Sequence, residues 1–328
     1  LLSQGAQLES FQHASDYFFT MLTGTPFMIL GIFFRSILSG EGDTLMPMKV
    51  LGFGTILNIL LDPPLIYFYG IKGAAAATVF SQFCVFIIFI YIIIFKNRAY
   101  LSLDLKNFKY NNKHLFQIFK IGIPAALSML IMSIGLFIYN IILSHTSTPE
   151  SAIAAYATAH RIEHLFFIPI ISLATSMVTL VGMFFGAKKY DLINTTLLYC
   201  IKYSLLISIL FGLIFYFFSF KIFPIFITDI EVINIGVGYF NIFSFAIPFI
   251  TLSMICSRVI QGLGKSYPMF IITCLRVIII SCSLAWYFIQ IKGMDLSYAW
   301  IAILISCITS SLISVIWLVF ELKKMRLA

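Results

Sequence analysis

The feature that most limits this chain is a succession of apolar runs, each long enough to cross a lipid bilayer. In hydrocarbon a backbone must satisfy its own hydrogen bonds, so runs of about 20 apolar residues are read as helices. Nine are expected, over Tyr17–Ser39, Leu45–Phe68, Ala74–Phe95, Ile121–Ser144, Ala152–Gly186, Asn194–Phe220, Ile233–Gln261, Tyr267–Ile289 and Ser297–Phe320. The chain has 328 residues, 61% of them hydrophobic and 10% charged. A soluble domain cannot hide that much apolar surface. The fold class is therefore all-α, a polytopic helical bundle, expected as a multi-pass protein of the cell (inner) membrane in contact with the lipid bilayer. The net charge of +8 does not indicate nucleic acid, because the basic residues cluster at helix ends. Cys84, Cys200, Cys256, Cys274, Cys282 and Cys307 all lie inside apolar runs without a CxxC pair, and read as small buried hydrophobes. No nucleophile, metal-ligand or P-loop motif stands in the sequence, which argues against an enzyme and against ATP as energy source.

Lysine and arginine assign the sides of the membrane. The segment after the third helix carries Lys96, Arg98, Lys106, Lys109, Lys113 and Lys120 and is expected in the cytoplasm. Lys188 and Lys189, Arg258 and Lys265, and the closing Lys323, Lys324 and Arg326 mark the same side. The loop 145–151 has neither lysine nor arginine and belongs outside.

An internal repeat organises the helices. YFFTMLTGTPFMILGIFFRSILSGEGDTLMPM from Tyr17 aligns with YFNIFSFAIPFITLSMICSRVIQGLGKSYPM from Tyr239. Pro26 falls on Pro248, Gly40 on Gly262 and Gly42 on Gly264; Pro47 meets Pro268 and Ile71 meets Ile291 after small gaps. Helices one to three thus recur, in the same orientation, as helices seven to nine. The second copy has three helices ahead of its match and the first does not, so roughly 100 further residues, three helices, are expected before Leu1. The architecture expected is two pseudo-symmetric six-helix halves with nine helices present. Residues 1–95 are the remainder of the first half, 96–120 a cytoplasmic linker and 121–328 the second half.

The costliest polar groups lie between residues 47 and 82. Asn58 and Asp62 are four residues apart and share one helical face. Leu60, Leu61, Leu65 and Ile66 surround the acid, and Pro63 and Pro64 follow it. Asp62 lies about 22 Å along a helix entered at Pro47, in the far half of a core about 30 Å thick. Thr78 on the returning helix lies at a similar depth. Carboxylate, amide oxygen and hydroxyl are ligands for a hard cation such as Na⁺. A carboxylate taken out of water also favours its protonated form. The bland alternative is that Asp62-Pro63 ends the helix. Against it, the second copy has Ile279 and Ser283 in place of Asn58 and Asp62, and a polar pair in one half only is poor scaffold.

His160, Arg161, Glu163 and His164 make a polar turn in the fifth helix, expected as an interfacial network or the mouth of a cavity near the outer boundary. Arg276, inside the eighth helix, is expected to serve structure at least as much as ligand contact. Gln82 and Gln261 are weaker candidates for cavity hydrogen bonds.

RSILSGEGDTLMPM, NILLDPPLIY and GIKGAAAATVFSQ, followed by IGIPAALSML, AHRIEHLFFIP, VGMFFGAKK and IQGLGKS, resemble the multidrug and toxic compound extrusion family of transporters. The resemblance covers nearly the whole chain. It is strongest to the prokaryotic branch whose cation site lies in the first half, on an Asn-xxx-Asp helix and a threonine of the next helix, here Asn58, Asp62 and Thr78. That branch also uses an aspartate on its first helix, which this chain does not include, and has one proline where Pro63 and Pro64 stand. The resemblance implies a monomeric antiporter that exports organic cations, with H⁺ or Na⁺ as coupling ion and no cofactor. The alternative is a flippase for a lipid-linked precursor of related two-half architecture. A membrane-embedded enzyme is a third class, with only the His160 turn to support it.

Overall fold

A computed structural model describes residues 8–95 and 110–326. The described chain is helical throughout, and eight of its helices are long and apolar enough to cross a membrane. It divides into two compact units, 1–110 and 111–328. Lys96, Arg98, Lys106 and Lys109 of the expected linker lie outside the described residues. From Asn112 that segment is helical, and Asn111 caps the helix by accepting from the Lys113 N–H at 3.0 Å.

The first unit is built from α1 (Leu8–Gly40) and α2 (Leu45–Ile90). The second and third expected helices are joined in α2, which is a hairpin of two arms, 45–69 and 71–90. The reversal falls on a single residue, Gly70, at φ 61° and ψ −138°. Only glycine takes that conformation without strain. Gly73, near the expected start of the third helix, is already helical and buried in the second arm. A Cβ on Gly73 would stand 1.9 Å from the Leu65 carbonyl oxygen, so the arms touch backbone to backbone there. Gly24 and Gly54 let Val79 and Val85 approach in the same way. The core consists of Phe34, Leu38, Val50, Val85, Phe89, Ile92 and Ile93. At 3.2 Å, Lys72 pairs with Asp16 across α1 and α2.

The second unit holds α3 (Asn112–Leu143), α4 (Pro149–Gly186), α5 (Tyr190–Ile222), α6 (Ile230–Gly262), α7 (Tyr267–Ile291) and α8 (Ser297–Arg326). Buried α6 is its centre and packs against α4, α5 and α8. Two cores form along it. One contains Tyr139, Tyr156, Phe215, Tyr239, Phe240 and Trp300; the other contains Met177, Val181, Ile255, Val259 and Leu318. The six cysteines are free thiols, four of them buried. Large apolar side chains such as Phe18, Phe116, Phe137, Leu198, Ile316 and Phe320 are exposed. That surface suits lipid, and the protein is a multi-pass membrane protein.

The repeat is visible in hydrogen bonds. After α1, the Gly42 N–H donates to the Ser39 carbonyl at 3.1 Å and the Asp43 N–H to Leu38 at 3.0 Å. After α6, Gly264 donates to Gln261 at 2.9 Å and Lys265 to Ile260 at 3.2 Å. Both are Schellman caps with glycine at positive φ, 92° and 79°. The copies diverge at their next turn, where α7 ends in a loop through Gly293 at φ 61° instead of a one-residue reversal.

A pair of glycine substitutions in α2 is expected to act in opposite directions. Gly73→Ala forces its methyl into the Leu65 carbonyl and lowers the thermal midpoint of the purified protein. Gly52→Ala meets no heavy atom within 4 Å and gains helix propensity, about 0.5–1 kcal/mol. A thermal ramp read by size-exclusion chromatography compares the two with the parent.

Candidate functional site

The hairpin brings Asn58, Asp62 and Thr78 together. The Asn58 side-chain N–H donates to Asp62 Oδ1 at 3.3 Å and to Thr78 Oγ1 at 3.4 Å. Thr78 in turn donates to the Ala74 carbonyl at 3.1 Å, so its hydroxyl is oriented by its own arm. All three side chains are half-buried. The geometry follows from the sequence through two steps. Spacing of four residues stacks Asn58 under Asp62, and the reversal at Gly70 sets residue 58 opposite residue 78. The helix does not end at Asp62-Pro63: it runs through both prolines to residue 69. A role as helix terminator is therefore removed for Asp62. With the Asn58 amide turned toward Asp62, its nitrogen is committed and its carbonyl oxygen, the Asp62 Oδ2 and the Thr78 lone pair remain as oxygen donors, a set that suits a hard cation or a proton. Gln82, one turn beyond Thr78, is half-buried in the same arm.

The second unit contains a cavity of about 290 Å³. Its wall takes Tyr139 from α3, Tyr156, His160, Glu163, His164 and Phe167 from α4, Tyr239 and Arg258 from α6, Arg276 from α7 and Ser306 from α8. His160 and Glu163 thus face a cavity in the interior of the unit, and Glu163 is buried about 21 Å along α4 at 1.5 Å per residue. Arg161 points away and is exposed. Gln261 accepts from Arg258 Nη1 at 2.9 Å at the end of α6 and stands off the wall. Arg276 sits in a stretch of α7, Leu275–Cys282, wound as π-helix. Widened turns of this kind recur at functional sites. They also leave room for the tight contact of Val277 against Gly135 of α3, where a Cβ would come within 2.0 Å. Tyr156, His160, Glu163 and Phe167 follow a three-and-four spacing that puts them on one face. That spacing was the signal by which Tyr156 and Phe167 could have been joined to the site from sequence. Tyr139 and Tyr239 carried no such signal. Tyr139 is fixed by donating its hydroxyl to the Ala299 carbonyl, and Tyr239 by stacking on Phe243, with ring centroids 5.1 Å apart.

A model of the MatE family matches residues 3–63 and 124–287. The chain is 26% identical over 314 residues to a probable multidrug resistance protein NorM of Thermotoga maritima, covering 93% of this chain and 66% of that protein. It is 32% identical over 187 residues to the multidrug export protein MepA of Staphylococcus aureus, covering 56% of this chain and 41% of that one. It thus spans just under two thirds of the first relative and less of the second. An outward-facing multidrug resistance MATE family transporter of the MOP superfamily is similar in structure, with TM-score 0.93, 26% identity, and coverage of 98% of this chain and 72% of that chain. Asn58, Asp62, Glu163 and Arg276 fall within the matched segments and Thr78 does not.

The bond between Asn58 and Thr78 joins the two arms of α2. Interhelical hydrogen bonds in membranes contribute about 0.6 kcal/mol on average. A double-mutant cycle of Asn58→Ala and Thr78→Ala, read by thermal unfolding, is expected to give a coupling of about that size. Additive effects would mean that the two side chains do not hold the arms together.

Proposed function

The chain belongs to the MatE family of transporters, and from that premise we propose that it serves as a secondary active antiporter exporting organic cations in exchange for H⁺ or Na⁺. The observation that carries this reading is the junction of Asn58, Asp62 and Thr78 across the hairpin. The relatives named for multidrug resistance and multidrug export support the substrate class. We place the protein in the cell's inner membrane as a monomer.

The mechanism follows from charge. A bare carboxylate in an apolar helix pair opposes any motion that buries it further. Binding H⁺ or Na⁺ at Asp62 neutralises it, while the Asn58 amide keeps the carboxylate oriented and the Thr78 hydroxyl supplies a neutral donor atom. One ion falling through 100 mV yields about 2.3 kcal/mol, enough for more than tenfold accumulation of an exported solute. Coupling requires that the ion be released where the organic cation is taken up, so that the two charges alternate at low cost.

Asp62→Asn keeps the shape of the side chain and removes its charge and exchangeable proton. It is expected to insert and fold but to lose gradient-driven export. Asn58→Ala and Thr78→Ala are expected to weaken the ion dependence by a smaller factor, since each removes one neutral group. Ser283→Ala, at the repeat counterpart of Asp62, is expected to change little. Proteoliposomes under an imposed H⁺ or Na⁺ gradient, loaded with a fluorescent organic cation, measure all four. Full coupled export by Asp62→Asn would return the carboxylate to a structural role.

A further inference from the structure

The cavity of the second unit contains an acid and a guanidinium that form no ion pair. Glu163 is 7% exposed, and its Oε1 has no hydrogen-bond partner. Arg276 lines the same cavity from the π-wound stretch of α7. Between described residues the ion pairs are Lys72–Asp16 and Lys265–Glu321, so neither Glu163 nor Arg276 belongs to one. Both nonetheless face the same cavity of about 290 Å³. A buried carboxylate oxygen without a donor is costly, and the half-buried Arg276 has its guanidinium on the same cavity. A group left in that state needs a reason, and a ligand that completes it is one. Tyr156, Phe167, Tyr239 and Phe243 supply aromatic rings to the wall, beside aliphatic side chains, His160, His164 and a second guanidinium, Arg258, whose Nη1 already donates to Gln261 at 2.9 Å.

We propose that this cavity is a recognition site for a compact aromatic zwitterion of the amino-acid type. Its ammonium donates to Glu163 Oε1, its carboxylate sits on the planar fork of Arg276, and its ring lies among the tyrosines and phenylalanines. The fork of an arginine matches a carboxylate with two parallel hydrogen bonds. A simple organic cation would satisfy Glu163 and bring a second positive charge beside Arg276. A simple anion would satisfy Arg276 and bring a second negative charge beside Glu163. A zwitterion answers both and leaves the charge of the cavity unchanged. Both protein groups line one cavity of about 290 Å³, so the ligand that spans them is compact. A volume of about 290 Å³ suits one bicyclic ring system and its polar head. The proposal adds a zwitterion to the organic cations of the efflux reading and rests on that reading for export, not for binding.

Three probes with one ring separate the possibilities: tryptophan, which carries both charges, tryptamine, which carries only the ammonium, and indole-3-propionate, which carries only the carboxylate. Binding to the purified protein in lipid nanodiscs is measured by calorimetry, and export of a cationic dye by the same preparation in proteoliposomes. Tryptophan is expected to bind at least about tenfold more tightly than either singly charged probe. Glu163→Gln is expected to reduce tryptophan to the level of indole-3-propionate, and Arg276→Gln to the level of tryptamine. Equal binding of all three probes, or no tryptophan binding by protein that exports the dye, overturns the proposal and leaves the efflux reading standing. A preference for tryptophan that survives both substitutions also overturns it. A preference present in protein that exports no dye supports the site and refutes the efflux reading alone. If either variant does not fold, the three probes on the parent protein decide.

Discussion

The constraint on which everything else here depends is that a backbone in lipid must satisfy its own hydrogen bonds. Helices do so along their length and fail at their ends, so the chain has to spend its special residues at the turns. It does so with glycine. Gly42 and Gly264 close α1 and α6 with the same pair of bonds back into the last helical turn. At Gly70 one residue reverses the chain, and the second arm of α2 starts at once. A reversal that short brings the arms into contact near the turn, which is possible only because Gly73 has no side chain to strike Leu65. Turn chemistry and helix packing are therefore one problem in this hairpin, and the meeting of Asn58 with Thr78 is its consequence.

The same constraint sorts the polar side chains. Most hydroxyls bond to a carbonyl of their own helix one turn back: Ser36 to Ile32, Ser81 to Ala77, Ser128 to Pro124, Ser172 to Ile168 and Thr273 to Met269. Such groups are satisfied without a neighbour and carry no information about a site. The groups that reach out of their own helix are few. Asn58 reaches Thr78, Tyr139 reaches Ala299 and Ser151 reaches Glu231. Glu163 reaches nothing with Oε1. In an apolar protein, the polar groups left over after local bonding are the ones that need an ion, a ligand or a partner.

Much of this was legible in the sequence, because apolar length and turn residues are one-dimensional signals. The helical class, the repeat and its glycine caps, and the shared face of Asn58 and Asp62 all follow from spacing. The reading failed where the third dimension decides. A tight turn was expected between the arms of α2, with the second helix starting near Gly73, and only the packing against Leu65 tells that Gly70 alone makes the turn. Residues 112–120 were read as linker for their lysines, although Asn111 already caps a helix there. Glu163 was read with its sequence neighbours Arg161 and His164 as a polar turn. His160 and His164 share its cavity but Arg161 does not, the other companions come from α4 and four further helices, and no local pattern links Glu163 to Tyr239 or to Arg276.

The repeat makes the difference between the halves informative. Its shared residues are those the backbone requires, the glycines and prolines of the turns. Of its charged residues Lys72 falls on Lys292, but Asp62 and Arg276 have no charged counterpart. On the second helix of the first copy stands Asp62, and the second copy has Ser283 there, which bonds to the Ile278 carbonyl of its own helix at 3.2 Å. On the second helix of the second copy stands Arg276, and the first copy has Thr55 near that level, bonded to the Leu51 carbonyl at 3.0 Å. In each copy the position that is charged in the other has been reduced to a hydroxyl that satisfies itself. The two matching helices thus carry one half-buried charge each, of opposite sign and about two turns apart in register. The helices of the repeat do not themselves require that asymmetry, since the counterpart positions are helical with Thr55 and Ser283. It has a use if the halves handle different things, a cation or proton at Asp62 and a charged small molecule at Arg276 and Glu163, which is the division of labour an exchanger needs.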